Sequence, residues 1–174
     1  HVDLSKMNGG IQQDLARRDF TVNAMAVPFP VNSNDPHEWS VIDPLGGLTD
    51  LFRRRVVRSS STVAIQEDPI RALRAIRLKT RLRFTLDPNT EALIRRDGPR
   101  LIGSAPERIR DELLGILAQT SSSYSLTDLD DLGLLDSILP ELSKGKGVTQ
   151  PFEHYWDVFD HSIQAVAMVE NVLQ

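Results

Sequence analysis

The chain has 174 residues, 40% hydrophobic and 25% charged, a globular balance that excludes wholesale disorder. It has no cysteine, which excludes a disulfide scaffold, thiolate zinc and a cysteine nucleophile, and which fits a reducing, cytoplasmic location. No apolar run reaches the length of a membrane span, and the N-terminus lacks the basic and apolar regions of a signal peptide. The chain begins at His1, so we expect a fragment or a processed chain.

Charge is distributed unevenly. Residues 1–50 carry 3 basic and 7 acidic side chains, residues 51–110 carry 15 and 6, and residues 111–174 carry 2 and 11. A basic block between acidic flanks is a candidate polyanion site, and an arginine-rich solvated surface is the plainer alternative.

In chain order, Gly9-Gly10 predicts a turn, and Ile11, Leu15, Phe20 and Val22 predict partial helix over residues 11–27, ended by Pro28 and Pro30. Val41-Ile42-Asp43 is a short strand candidate and Pro44-Leu45-Gly46-Gly47 a turn. Val56-Val57 is another strand candidate, followed by a Ser59-Ser60-Ser61 linker. Asp68-Pro69 predicts a helix start, with the helix reaching about Leu82. A second helix starts near Asp87-Pro88. A third follows Ser104, whose spacing to Glu107 is that of a capping box, and runs to about Ala118. A serine-rich break over 120–125 precedes one or two helices over 126–139. Residues 143–150 read as a flexible loop and 153–174 as a last helix. The whole is a small mixed segment followed by an all-helical remainder, without the βαβ alternation of a doubly wound sheet.

Four constellations carry chemical interest. Arg17-Arg18-Asp19-Phe20-Thr21-Val22-Asn23 places two guanidinium groups, a carboxylate and an amide together, suited to phosphates and sugar hydroxyls, or else to an ordinary helix terminus. Asp43-Pro44-Leu45-Gly46-Gly47 permits a close backbone approach, and a tight structural connection is its favoured reading. On a helix, Arg71, Arg74, Arg77 and Arg81 span a sector of roughly 120°. Asp68 and Arg71, at i, i+3, present an acceptor beside a donor, which matches a nucleobase edge; a helix cap with a Glu67–Arg71 ion pair fits the same spacing. Finally, His154, Asp157 and His161 share a helical face, where a metal ligand set and a structural cluster both remain open.

Taken together, RRDFTVNAMA (17–26), DPLGGLTDL (43–51), EDPIRALRAIRLKTRLRF (67–84) and APERIRDELLGIL (105–117) resemble the class II nucleotidyltransferases of the CCA-adding enzyme and bacterial poly(A) polymerase family. The stretch QPFEHYWDVFDHSI (150–163) resembles the opening of the HD-type helical domain of some members. The resemblance implies a mainly α chain. Residues 1–60 would be a small α+β remnant of a nucleotidyltransferase head, 61–120 a helical neck that binds nucleobase and RNA, and 121–174 a helical body leading into a truncated HD-like domain.

It also implies template-independent addition of CTP and ATP to RNA 3′ ends, most naturally tRNA CCA addition or repair. A poly(A) or A-adding enzyme on the same scaffold and a non-catalytic RNA-binding module are the alternatives. By the same resemblance, Arg18, Asp19 and Asn23 contact triphosphate and sugar, and Asp68 and Arg71 read the base. Arg74 lies toward the triphosphate, and Arg77, Arg81 and Arg108 support RNA. The family's catalytic Mg2+ is held by an Asp-x-Asp pair of the catalytic head, and residues 1–60 contain no such pair. Asp3 is a candidate third carboxylate, and His161 a candidate ligand of an incomplete HD metal site. The expectation is an inactive chain from an enzymatic parent.

Overall fold

The computed structural model describes residues 9–30, 34–35, 38–151 and 155–173. Asp3 and His154 lie outside them. Ten α-helices, two 3-10 helices, one π turn and one two-stranded sheet are found among the described residues. None of the helices is long and apolar enough to cross a membrane.

The first helix, α1 (Ile11–Ala16), is shorter than its hydrophobic spacing predicts. Phe20 leaves the helical region (φ −131°, ψ 151°), is fully buried, and bridges antiparallel to Ser59. Burying that ring is worth about 2 kcal/mol, more than the residues between would gain by staying helical. Residues Thr21–Asn23 then form a 3-10 turn. The strand candidate at Val41-Ile42 is one bridge, between Ala26 and Ile42. The one-turn α2 (Gly47–Thr49) runs into a π turn over Asp50–Arg54.

The strand β1 (Val56–Val57) pairs parallel with β2 (Thr85–Leu86), with Val56 opposite Thr85 and Val57 opposite Leu86. Between them lie α3 (Ala64–Glu67) and α4 (Ile70–Leu82). This is a parallel crossover that the sequence does not announce, because two residues are too few to carry a period. The serine linker after β1 is firmly held: Ser59 N–H donates to Thr90 Oγ1 at 2.8 Å and Ser60 N–H to Asp19 O at 3.0 Å.

Helix α4 is the axis of the molecule. Ile70, Ala72, Leu73, Ala75 and Ile76 are fully buried, and the arginines between them occupy the other face. The helix stops where Arg83 turns left-handed (φ 54°). Helix α5 (Pro88–Asp97) is capped as expected, Asp87 accepting from Asn89 N–H at 3.1 Å with proline at the first position. Helix α6 (Pro106–Leu117) packs along α4. Its N-cap is Ala105, not Ser104, and no side chain caps it; the proline at its first position needs no N–H partner.

The serine-rich segment is not a break. Helix α7 (Ser122–Asp131) begins inside it, because the Glu170 carboxylate accepts from the backbone and hydroxyls of Ser122 and Ser123. Two short helices follow, α8 (Leu135–Ile138) and α9 (Pro140–Ser143). Residues 143–150 are tied to the last helix, α10 (Val158–Leu173), by Val158 N–H donating to Val148 O at 3.0 Å. One continuous hydrophobic cluster runs from Phe20 and Val57 through α4 to Leu126, Leu135, Phe159 and Ile163.

Candidate nucleotide site

Two separated stretches of chain enclose a polar cavity of about 350 Å3. Arg17, Arg18, Asp19 and Asn23 line it from the segment after α1. Asp68, Arg71 and Arg74 line it from the start of α4. All six residues expected to contact nucleotide therefore converge, and Arg17 joins them.

The backbone explains the placement. A residue before proline is pushed out of the helical region. Asp68 accordingly sits at φ −143°, ψ 93°, which ends α3, and it lines the cavity. Arg71, one turn on, is braced by backbone: Nη1 donates to Ala64 O at 3.2 Å and Nη2 to Arg17 O at 3.4 Å. Its link to Glu67 is loose, at 4.0 Å. The second bond joins the two stretches that form the cavity.

Asp19 is a hub. Its Oδ1 accepts from Phe20 N–H at 2.8 Å and from Asn23 Nδ2 at 3.2 Å, and its Oδ2 accepts from Arg74 Nη1 at 2.9 Å. Both oxygens are thus committed to holding the loop. Arg18 is half exposed and paired with Asp14 at 3.0 Å.

The glycine pair stands behind this loop. Asp43 accepts from Gly47 N–H at 2.7 Å and Leu48 N–H at 2.9 Å, and Gly46 is left-handed (φ 76°). A Cβ on Gly47 would lie 2.1 Å from Thr21 O. Buried Asp50 accepts from Thr21 Oγ1 and from Arg58 Nε, each at 2.7 Å. The segment is a buttress, the tight connection favoured from sequence.

The cationic face of α4 divides. Arg71 and Arg74 face the cavity, and Arg77 turns to α6, donating through Nε to Glu112 Oε2 at 2.7 Å. Arg81 is exposed. Arg108, on α6, donates to Asp68 Oδ2 at 2.7 Å, which places it beside Asp68 and Arg71. Burial raises the Asp68 pKa. The hydrogen bond and charge of Arg108, the charge of Arg71 and the Ile70 N–H outweigh it and hold the carboxyl below its ordinary value. The group is ionised at neutral pH and acts as an acceptor.

Sequence reasoning missed Glu112. It is buried, and it joins Arg74 Nε at 3.0 Å to Arg77. Its i, i+4 spacing from Arg108 suggests a pair within α6, whereas Arg108 bonds Asp68 and the partners of Glu112 lie on α4.

Of the histidine cluster, His154 lies outside the described residues, and the structure describes Asp157 and His161. Asp157 lies before α10, where its carboxylate accepts from Asp160 N–H at 2.8 Å and Gly147 N–H at 2.7 Å. Among the described residues no three His, Asp or Glu side chains converge on a metal position, and this includes His161.

Comparison with known proteins agrees with this geometry. Residues 1–58 match the "Poly A polymerase head domain", and residues 83–145 match the "Probable RNA and SrmB-binding site of polymerase A". The A-adding tRNA nucleotidyltransferase of Deinococcus radiodurans is 41% identical over 169 residues, covering 94% of this chain and 37% of that protein. The multifunctional CCA protein of Xanthomonas campestris pv. campestris is 40% identical over 153 residues, covering 85% of this chain and 35% of that protein. The chain therefore spans little more than a third of these relatives. Among solved structures, the Bacillus stearothermophilus CCA-adding enzyme in complex with CTP superposes with a TM-score of 0.68 at 31% identity, over 78% of this chain and 33% of that one. The head-domain and RNA-binding matches, the relatives and the shared fold agree: the chain belongs to the CCA-adding enzyme and poly(A) polymerase family of nucleotidyltransferases.

Proposed function

We propose that this chain binds the incoming nucleotide of a template-independent RNA nucleotidyltransferase that extends tRNA 3′ ends with CTP and ATP. The observation that carries this reading is the cavity in which Arg18, Asp19 and Asn23 meet Asp68, Arg71 and Arg74. Cytosine and adenine each offer an exocyclic amine beside a ring-nitrogen acceptor. The ionised Asp68 accepts from the amine and Arg71 donates to the ring nitrogen. Uracil and guanine put a carbonyl oxygen where the amine would be, against the Asp68 charge, and are rejected by repulsion and by an unmet donor. Arg18 and Arg74 face the phosphates.

Residues 1–60 act as part of the head, 61–120 as the nucleobase and RNA neck, and 121–174 as the body leading to an HD-like domain. Arg77, Arg81 and tRNA are partners in this reading. In the family's chemistry Mg2+ offsets charge on the phosphates. The described residues do not fit a magnesium site, since Asp19 is spent on Arg74, Phe20 and Asn23, so their part is to bind and orient.

An A-adding enzyme is the second reading, favoured by the 41% identity to a protein of that name. Calorimetric titration of the chain with each of the four triphosphates tests both. CTP and ATP binding tighter than UTP and GTP supports the base pair, and preference for ATP alone supports the second reading. Equal binding of all four, unchanged in Arg71→Ala, contradicts both.

A further inference from the structure

We propose that Glu112 is a positioning residue for the nucleotide site, setting the guanidinium of Arg74 at the cavity wall. The inference rests on reading the cavity as that site. Glu112 is 8% exposed, in the middle of α6, and is not among the residues that line the cavity. Its two oxygens are separately engaged, Oε1 by Arg74 Nε at 3.0 Å and Oε2 by Arg77 Nε at 2.7 Å. Arg74 is held at a second corner by Asp19, through Nη1 at 2.9 Å. Two fixed corners fix the plane of a rigid fork. Its Nη2, which has no hydrogen bond among the described residues, is the donor left for a ligand in the cavity that Arg74 lines.

The cost of this arrangement argues for a role. A buried carboxylate is expensive unless fully paired, and an apolar contact between two helices would hold them as well. The Arg77 side chain also lies over Gly115 of α6, where an added Cβ would come within 2.7 Å of Arg77 Cδ. What the carboxylate adds is direction: Arg77 anchors Glu112, Glu112 orients Arg74, and Arg74 reaches both Asp19 and the cavity.

The test compares cytidine with CTP, the nucleoside being the same base and sugar without phosphates. In Glu112→Gln the amide oxygen can serve one arginine, and the amide nitrogen opposes the other. CTP affinity should fall about tenfold, the worth of a charge-assisted hydrogen bond. Cytidine affinity and the preference for CTP over UTP, set by Asp68 and Arg71, should hold. Should Glu112→Gln fail to fold, Glu112→Asp keeps the charge but is too short to reach both arginines, and should lose the same CTP advantage. If whichever variant folds retains the wild-type ratio of CTP to cytidine affinity, Glu112 is a helix clamp only and the proposal is overturned. If the wild-type chain itself binds CTP no better than cytidine, the reading of the cavity fails first.

Discussion

Arg108, in the first turn of α6, reaches Asp68 at the head of α4 and donates to its carboxylate across 2.7 Å. The same carboxylate feels the charge of Arg71, so two arginines flank the acceptor proposed to meet the base amine. A lowered pKa means that the charge is present at neutral pH and is lost as pH falls through the folded value. Arg108→Gln removes the largest lowering influence and should raise that value, moving the acid edge of nucleotide binding upward. Because Arg108 is half exposed, stability should change by under about 1 kcal/mol. An NMR titration of the Asp68 carboxyl carbon in both proteins checks the direction.

Gly47 allows the α2 turn to lie against the 3-10 turn that follows Asp19. A methyl group there meets the Thr21 carbonyl, which cannot move without disturbing the loop that carries Arg18 and Asn23. Gly47→Ala should cost about 1–3 kcal/mol in urea unfolding and weaken CTP binding in parallel. Gly103→Ala, where nothing lies within 4 Å, should do neither.

Glu170 binds α10 to the start of α7. Burial raises its pKa, but the hydroxyls and N–H groups of Ser122 and Ser123 outweigh this and hold it below the ordinary value. The stabilisation is therefore present above the unfolded pKa and lost as pH falls through the folded one. Glu170→Ala should destabilise the chain by about 1–2 kcal/mol near neutral pH, through loss of capping and of the anion at a helix N-terminus. The gap to the wild type should close in acid. Thermal melts across pH measure both.

Much of this was legible in the chain itself. Helix α4 ends at Leu82 as its apolar spacing indicates, and Asp87-Pro88 caps α5 as local chemistry requires. The convergence of residues 18–23 with 68–74 followed from family resemblance, since no local rule relates segments so far apart. What escaped was tertiary. Phe20 leaves its helix to pair with Ser59, and the serines at 122 and 123 become helical because Glu170 reaches them from α10. Arg108 was expected on RNA and Glu112 was not singled out, because their partners, Asp68 and Arg74, belong to other stretches of chain. Val56-Val57 forms the strand expected of it, whereas its partner Thr85-Leu86 is too short to carry a pattern.

The central claim is that Asp68 and Arg71 meet the base while Arg18 and Arg74 face the phosphates. A crystal structure of the chain soaked with CTP tests it most directly. The account predicts the cytosine amine within hydrogen-bond distance of Asp68, its ring nitrogen beside Arg71, and the triphosphate against the two outer arginines. CTP bound elsewhere on the molecule, with this cavity filled only by water, would contradict it.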